Sequence, residues 1–108
     1  MNKHTMKFVD NMWYIGGVDI DTWLSEKVQD VRNLPSYKDG YGIKRFSEYL
    51  KDAATFWDIN IIKAWMNMYI DACATVLYNH IWNVTDGNDR VKEREAIRVT
   101  TEFEKRFK

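Results

Sequence analysis

The sequence INIIKAWMNMYIDACATVLYNHIWNV, residues 59–84, decides the fold of this chain. It contains no Pro and no Gly, and a narrow polar seam recurs in it at spacings of three or four residues. Residues at these spacings lie on one face of an α-helix. The seam consists of Asn60, Lys63, Asn67, Asp71, Thr75 and Asn79. Because the opposite arc is broad and apolar, we predict one long helix at the centre of a bundle.

Asp58 marks the predicted start of this long helix. An Asp side chain can accept a hydrogen bond from a backbone N–H of the first turn, and Trp57 and Ile62 have the spacing of a hydrophobic staple. A second amphipathic stripe lies upstream, over residues 43–57. At about 100° per residue, its apolar face points about 120° away from that of the long helix. We therefore expect a break or a sharp kink at 57–59.

Two further helices are predicted, one before residue 43 and one after residue 84. An apolar stripe with helical spacing follows Asp19 and Asp21, which are both N-cap candidates. The stripe consists of Ile20, Trp23, Leu24, Val28 and Val31. This helix is expected over about 20–33, ahead of Pro35. The highly charged residues 89–107 follow a tight turn and are predicted to form a last helix, antiparallel to the long one.

Residues 1–17 leave the choice between helix and strand open. Phe8, Met12 and Ile15 share helical spacing, whereas Trp13-Tyr14-Ile15 fits a short strand equally well. The predicted fold class is therefore all-α with an uncertain N-terminal element, in a single domain over 1–108. It is a compact bundle whose long third helix is central. The four predicted helices cover about 20–33, 43–57, 59–84 and 89–107.

Charge and cysteine content exclude several classes of protein. Sixteen basic and sixteen acidic residues cancel, which removes the usual electrostatic argument for a protein that binds nucleic acid or a membrane through its overall charge. Binding to a membrane is therefore not expected, and binding to nucleic acid stays uncertain. Cys73 is the only cysteine, so neither an intramolecular disulfide nor a cysteine zinc cluster can form. No apolar run of about 18 residues is present. A cytoplasmic location is expected, in the host cytoplasm if the protein is viral.

No pattern in the sequence predicts catalysis, a metal site or a cofactor. His80 and Cys73 together fall short of the ligand count of a zinc site. Glu93 and Glu95 lie two residues apart and face different directions, so they form no acid–base pair. Phosphate-binding loops and nucleophile elbows are absent. The protein is therefore predicted not to be an enzyme. An enzyme would need a pocket of convergent polar groups around Asp71 or His80.

Aromatic side chains exceed what the helix stripes need. The chain has five Trp, six Tyr, five Phe and five Met among 108 residues. Such side chains bury large areas and dominate many interfaces. The candidates for binding a partner protein are Trp13, Tyr37, Tyr41 and Trp82. The candidates for self-association are Val99, Phe103 and Phe107, because large apolar residues near a chain end need something to dock on.

These features favour a small non-enzymatic interaction protein that acts by stoichiometric binding. The composition, with few Leu, one Pro and many Asn, Asp, Lys, Ile and Tyr, is similar to that of small accessory proteins of AT-rich phages. We expect either a phage-type inhibitor of a host enzyme or defence factor, or a self-associating assembly protein that forms homo-oligomers. The alternative is a nucleic-acid or nucleotide binder that stacks bases on aromatics beside Lys and Arg.

Overall fold

The computed structural model of the chain describes residues 5–10, 12–35 and 58–107. The protein is mostly helical and has a small N-terminal three-stranded antiparallel sheet. The predicted helical character is confirmed, whereas the all-α class needs correction because of the sheet. The helix predicted over 43–57 lies outside the described residues, as do Tyr37 and Tyr41.

The N-terminal sheet is built from short strands that are hydrogen-bonded in chain order. They are β1 (Met6–Val9), β2 (Met12–Ile15) and β3 (Val18–Asp19). Both pairings are antiparallel, and Trp13 lies opposite Phe8. Trp13 and Ile15 are buried while Met12 and Tyr14 are half-buried, which is the two-residue period of a strand. The strand alternative for this segment is therefore the correct one.

A two-glycine turn connects β2 to β3. Gly16 and Gly17 have φ angles of 57° and 83°, and Ile15 lies opposite Val18. Two residues of positive φ between directly paired strand ends are typical of a type I′ hairpin, and glycine adopts this geometry without a steric penalty. The pair of glycines thus turns the chain within the sheet.

The helix predicted over 20–33 is interrupted at Val28. Helix α1 (Ile20–Lys27) ends there, because the φ of −113° and ψ of 15° of Val28 depart from helical values. A short helix, α2 (Gln29–Arg32), follows. The apolar stripe continues across the interruption, since Val28 and Val31 are both fully buried. Burial of the stripe is therefore retained although the helical hydrogen bonding is not continuous.

The long helix and the last helix lie where the sequence pattern predicts them. Helix α3 (Ile59–Val84) has 26 residues, and it packs on helix α4 (Asp89–Glu104). The predicted last helix over 89–107 is α-helical to Glu104 and ends in a 3₁₀ turn (Lys105–Phe107). The predicted hairpin of these two helices is confirmed.

Side-chain caps determine where three of these helices begin. Asp19, Asp58 and Asn88 directly precede α1, α3 and α4. The backbone N–H groups of Thr22, Asn60 and Val91 donate to their Oδ1 atoms at 3.0, 2.8 and 3.0 Å, respectively. Each bond satisfies a donor that has no carbonyl partner inside its helix. The predicted start of the long helix at Asp58 is confirmed.

The two sides of α3 differ in burial as the sequence pattern predicts. Every residue of the polar seam is exposed to solvent. The opposite arc carries the buried side chains Ile62, Met66, Tyr69, Cys73 and Val76. The seam therefore leaves one side of the helix open along its length.

Two compact units divide the described residues. The first contains the sheet, α1 and the part of α3 up to Tyr69. The second contains α2, the part of α3 from Ile70 onward, α4 and the final 3₁₀ turn. The expectation of one domain over residues 1–108 stays a prediction, since α3 continues from the first unit into the second.

Replacement of Gly87 should destabilise the α3–α4 turn. Gly87 has a φ of +123°, and a Cβ added there would lie 3.1 Å from the Cβ of Val91. Gly87→Ala therefore meets both backbone strain and a close contact, and should lower the free energy of unfolding by about 1–3 kcal/mol. Urea unfolding followed by circular dichroism measures this loss.

Gly17→Ala is the matched control for that variant. Gly17 also has a positive φ, of +83°, but a Cβ there meets no atom within 4 Å. The variant Gly17→Ala should therefore show only the conformational cost of a positive φ. It should lose less free energy of unfolding than Gly87→Ala does. Equal losses would mean that the contact with Val91 contributes nothing.

Candidate functional site

An open groove lies between α3 and α4 in the second unit. Its volume is about 350 Å³. It is lined by Asp71, Ala74, Thr75 and Tyr78 of α3 and by Thr100 and Glu104 of α4. The lining residues recur every three or four positions, so each helix contributes one stripe. None of them is buried, which makes the groove a surface feature that is open to water.

The polar atoms of the groove are mostly hydrogen-bond acceptors. The hydroxyl of Thr75 donates to the carbonyl of Asp71 at 3.0 Å, and the hydroxyl of Thr100 donates to the carbonyl of Ala96 at 2.8 Å. Their protons are thereby engaged, and the oxygen lone pairs remain available. Asp71 and Glu104 add two exposed carboxylates. The groove is therefore suited to a cationic donor such as the side chain of Lys or Arg.

An aromatic pair extends the α3 side of the groove. The rings of Tyr78 and Trp82 stack with their centres 6.3 Å apart and an interplanar angle of 24°. Both side chains are half-buried, and Trp82 lies one turn nearer to the end of α3. The pair thus offers apolar area directly beside the acidic groove, and part of each ring faces solvent.

The structure places the predicted contact residues Trp82 and Trp13 in different environments. Trp82 lies beside the groove, whereas only 3% of Trp13 is exposed. Trp13 packs in the first unit against Phe8, with the ring centres 5.2 Å apart. The alternating position of Trp13 in β2 directs its side chain into the core, and its role in binding a partner stays a prediction.

The aromatic residues at the end of α4 also pack within the chain. Phe103 is 1% exposed and makes an edge-to-face contact with Phe107 at 5.3 Å between ring centres. Val99 and Phe107 are half-buried. Phe103 is therefore buried within the chain, and the self-association role of Val99, Phe103 and Phe107 stays a prediction. The exposed apolar residue of the middle of α4 is Ile97, of which 50% is accessible.

A long-range ion pair holds the end of α4 in the second unit. Nη1 and Nη2 of Arg106 donate to the two carboxylate oxygens of Asp30 at 2.8 and 2.9 Å. The hydrogen bond from Arg106 holds the pKa of Asp30 below its ordinary value, although partial burial of the carboxyl opposes this shift. The guanidinium also lies 5.1 Å from the centre of the Phe103 ring. The segment that follows Glu104 is therefore held by two interactions of Arg106, the ion pair with Asp30 and the contact with the Phe103 ring.

A cluster of metal ligands and a membrane-spanning helix are both absent from the part of the chain that the structure describes. Within residues 5–10, 12–35 and 58–107, no three His, Cys, Asp or Glu side chains cluster as a metal site would require. His80 does not line the groove, although Asp71 does. None of the described helices combines the length and the apolar character that crossing a membrane requires.

No protein-family model, curated protein or solved structure matches this chain. Its function must therefore be inferred from its own residues.

The α4 side of the groove is not among the residues that the sequence pattern predicted as contacts. Ile97, Thr100 and Glu104 follow one another at spacings of three and four residues, which is the signal of a common helix face. The high charge of this helix made the pattern resemble an ordinary solvated surface. Asp71 belongs to the predicted polar seam, but its proximity to α4 depends on how the two helices pack.

The ion pair of Asp30 with Arg106 predicts a pH-dependent contribution to stability. Asp30→Asn should lower the free energy of unfolding at pH 7 by less than about 1 kcal/mol, because both side chains are partly exposed. The folded-state pKa of Asp30 is lowered, so its contribution is present above the ordinary carboxyl range. That contribution should disappear from about pH 5 downward, as the pH falls through the folded pKa.

Urea titrations of the wild type and the variant from neutral to acid pH measure this difference. Glu95→Gln is the control, because Glu95 pairs with Arg98 one turn away on the same helix and connects no separate elements. It should cost less stability than Asp30→Asn. The difference in free energy of unfolding between the wild type and Asp30→Asn should shrink at acid pH. A difference that grows there would contradict a stabilising ion pair of Asp30 with Arg106.

Proposed function

We propose that this protein is a small non-enzymatic interaction module that acts by stoichiometric binding in the cytoplasm. It takes a basic segment of another protein in the α3–α4 groove. The observation that carries the proposal is the lining of this groove, where two carboxylates and two acceptor hydroxyls lie beside a half-exposed aromatic pair. Such a module can serve as an inhibitor of a host enzyme or defence factor, or as a self-associating accessory protein.

The charge of the groove supports a cationic occupant. Asp71 and Glu104 lie on opposite walls, so a Lys or Arg side chain entering between them meets a carboxylate on either side. Thr75 and Thr100 can accept further N–H bonds, because their protons already bond to helix carbonyls. A guanidinium, with five donors and no acceptor, is the side chain that such an acceptor-rich groove complements best.

The aromatic pair supports a protein partner. Tyr and Trp are enriched among the residues that carry most of the binding energy of interfaces. Tyr78 lines the groove itself, and Trp82 stacks on it from the next turn. An apolar residue of the partner would lie over these rings while its cation occupies the groove.

The alternative functions receive less support from the same residues. Carboxylates beside the exposed rings repel phosphate groups, which disfavours nucleic acid at this groove. The groove is open and its lining is solvated, so it does not exclude water from a bound substrate as catalytic sites do. Binding without chemistry is therefore the function that the groove supports best.

Selection from a random peptide library on the immobilised wild-type protein tests this proposal. The selected peptides should be rich in Lys and Arg and should carry apolar residues at helical spacing. The double variant Asp71→Lys/Glu104→Lys reverses the charge of the groove and should bind these peptides at least about tenfold more weakly, which corresponds to about 1.4 kcal/mol. Trp82→Ala should weaken the binding of the same peptides, because the contact with the Trp82 ring is lost.

The matched control is the double variant Glu26→Lys/Asp86→Lys. It makes the same change in net charge at exposed positions outside the groove, so it should bind the selected peptides as the wild type does. Acidic peptides, or equal binding by both double variants, would refute the groove as the site. Salt-sensitive binding of a single-stranded DNA oligonucleotide by the wild type would instead favour the nucleic-acid alternative.

A further inference from the structure

One face of α4 carries an exposed apolar residue between two opposite charges. Ile97 lies in the middle of the helix and is 50% exposed. Arg90 lies seven residues before it and Glu104 seven residues after it, so all three share one stripe at two-turn spacing. Arg90 and Glu104 are exposed as well, and each lies about 10 Å from Ile97 along the helix axis.

This stripe is complementary to itself in the antiparallel direction. When two copies of α4 pair antiparallel about Ile97, positions that are equally distant from Ile97 face each other. Arg90 then faces Glu104 of the second copy, and Glu104 faces its Arg90. A parallel pairing would place Arg90 against Arg90. The antiparallel arrangement therefore has a twofold axis at Ile97 and two symmetric opposite-charge pairs, as an isologous dimer requires.

The flanking positions of the stripe are compatible with the same pairing. Arg94 faces Thr100 of the second copy, whose hydroxyl proton already bonds to a helix carbonyl and leaves an acceptor for the guanidinium. Glu93 faces Thr101, whose hydroxyl can donate to it. No like charges oppose each other at any of these positions, and the two Ile97 side chains meet at the centre.

Arg90 and Glu104 take part in no ion pair within the part of the chain that the structure describes. Among the described residues, the salt bridges of α4 and the following turn are Glu95–Arg98, Glu102–Lys105 and Asp30–Arg106. None of them involves Arg90 or Glu104. Their charges therefore remain available to a second copy.

We propose that a second copy of this chain is the partner, docked antiparallel along α4 with each Arg90 against Glu104 of the other copy. The proposal rests on the proposed function, because Glu104 lines the groove and Arg90 is the cation that the groove receives. One face of a helix of 16 residues is about 24 Å long, which is short for the roughly 1,000 Å² of a stable complex. The dimer is accordingly weak and concentration-dependent.

Sedimentation equilibrium of the full chain at low salt, up to about 1 mM protein, tests the dimer in a range that reaches weak complexes. The wild type should show a mass that rises toward that of a dimer with concentration. Arg90→Glu and Glu104→Arg should each remain monomeric, because like charges then oppose each other twice. Both changes suit the helix dipole, which favours acids at the start and bases at the end of a helix, so both variants should fold.

Mixing the Arg90→Glu chain with the Glu104→Arg chain is the decisive experiment. In the mixed antiparallel pair, both opposite-charge contacts are restored, so a heterodimer should form although neither variant dimerises alone. Ile97→Lys should raise the dissociation constant at least tenfold. Val91→Lys, at an exposed apolar position on another face of the same helix, should leave it unchanged.

Dimerisation of the chain and peptide binding by the groove can be measured separately. A wild type that stays monomeric at every concentration, or a mixture that does not associate, overturns the second copy as partner. Arg90→Glu leaves the groove lining intact, so it should still bind the library-selected peptides even if no dimer exists. Loss of those peptides in Asp71→Lys/Glu104→Lys would then support the groove with a different basic protein as its occupant.

Discussion

The unequal width of the apolar and polar sides of α3 is the constraint on which the rest of this structure depends. A helix of 26 residues is about 39 Å long, and its buried side chains extend from Ile62 to Leu77. Hydrophobic burial favours the fold only if apolar neighbours cover this length. Helix α3 accordingly contributes to both compact units, while its polar seam stays in water.

The same asymmetry produces the candidate site. Because Asp71 and Thr75 belong to the seam, they remain exposed where α4 packs beside α3, and the stripe of α4 that meets them there carries Thr100 and Glu104. Two acidic walls are thus a consequence of packing one polar seam beside one charged helix. The ion pair of Asp30 with Arg106 keeps the end of α4 in position without using either carboxylate of the groove.

Local signals predicted the helices well and the N-terminal sheet poorly. The bounds of α3 and the caps Asp19 and Asp58 follow from spacing and from hydrogen bonds within three residues, which a sequence shows directly. The strands have four, four and two residues, too few for a period to be decisive. Their pairing joins residues across turns, and the interruption of the helical pattern at Val28 has no local breaker such as Pro or Gly.

The local sequence of this protein determines where α3 and α4 begin, which residues of α3 face water, and that Trp82 lies near the end of the long helix. Packing alone decides that Trp13 and Phe103 are buried, that Asp71 and Glu104 line one groove, and that Ile97 is left exposed. The physical reason is that exposure depends on neighbours from distant parts of the chain. Asp30 and Arg106 bond across 76 positions, a relation that no helical spacing encodes.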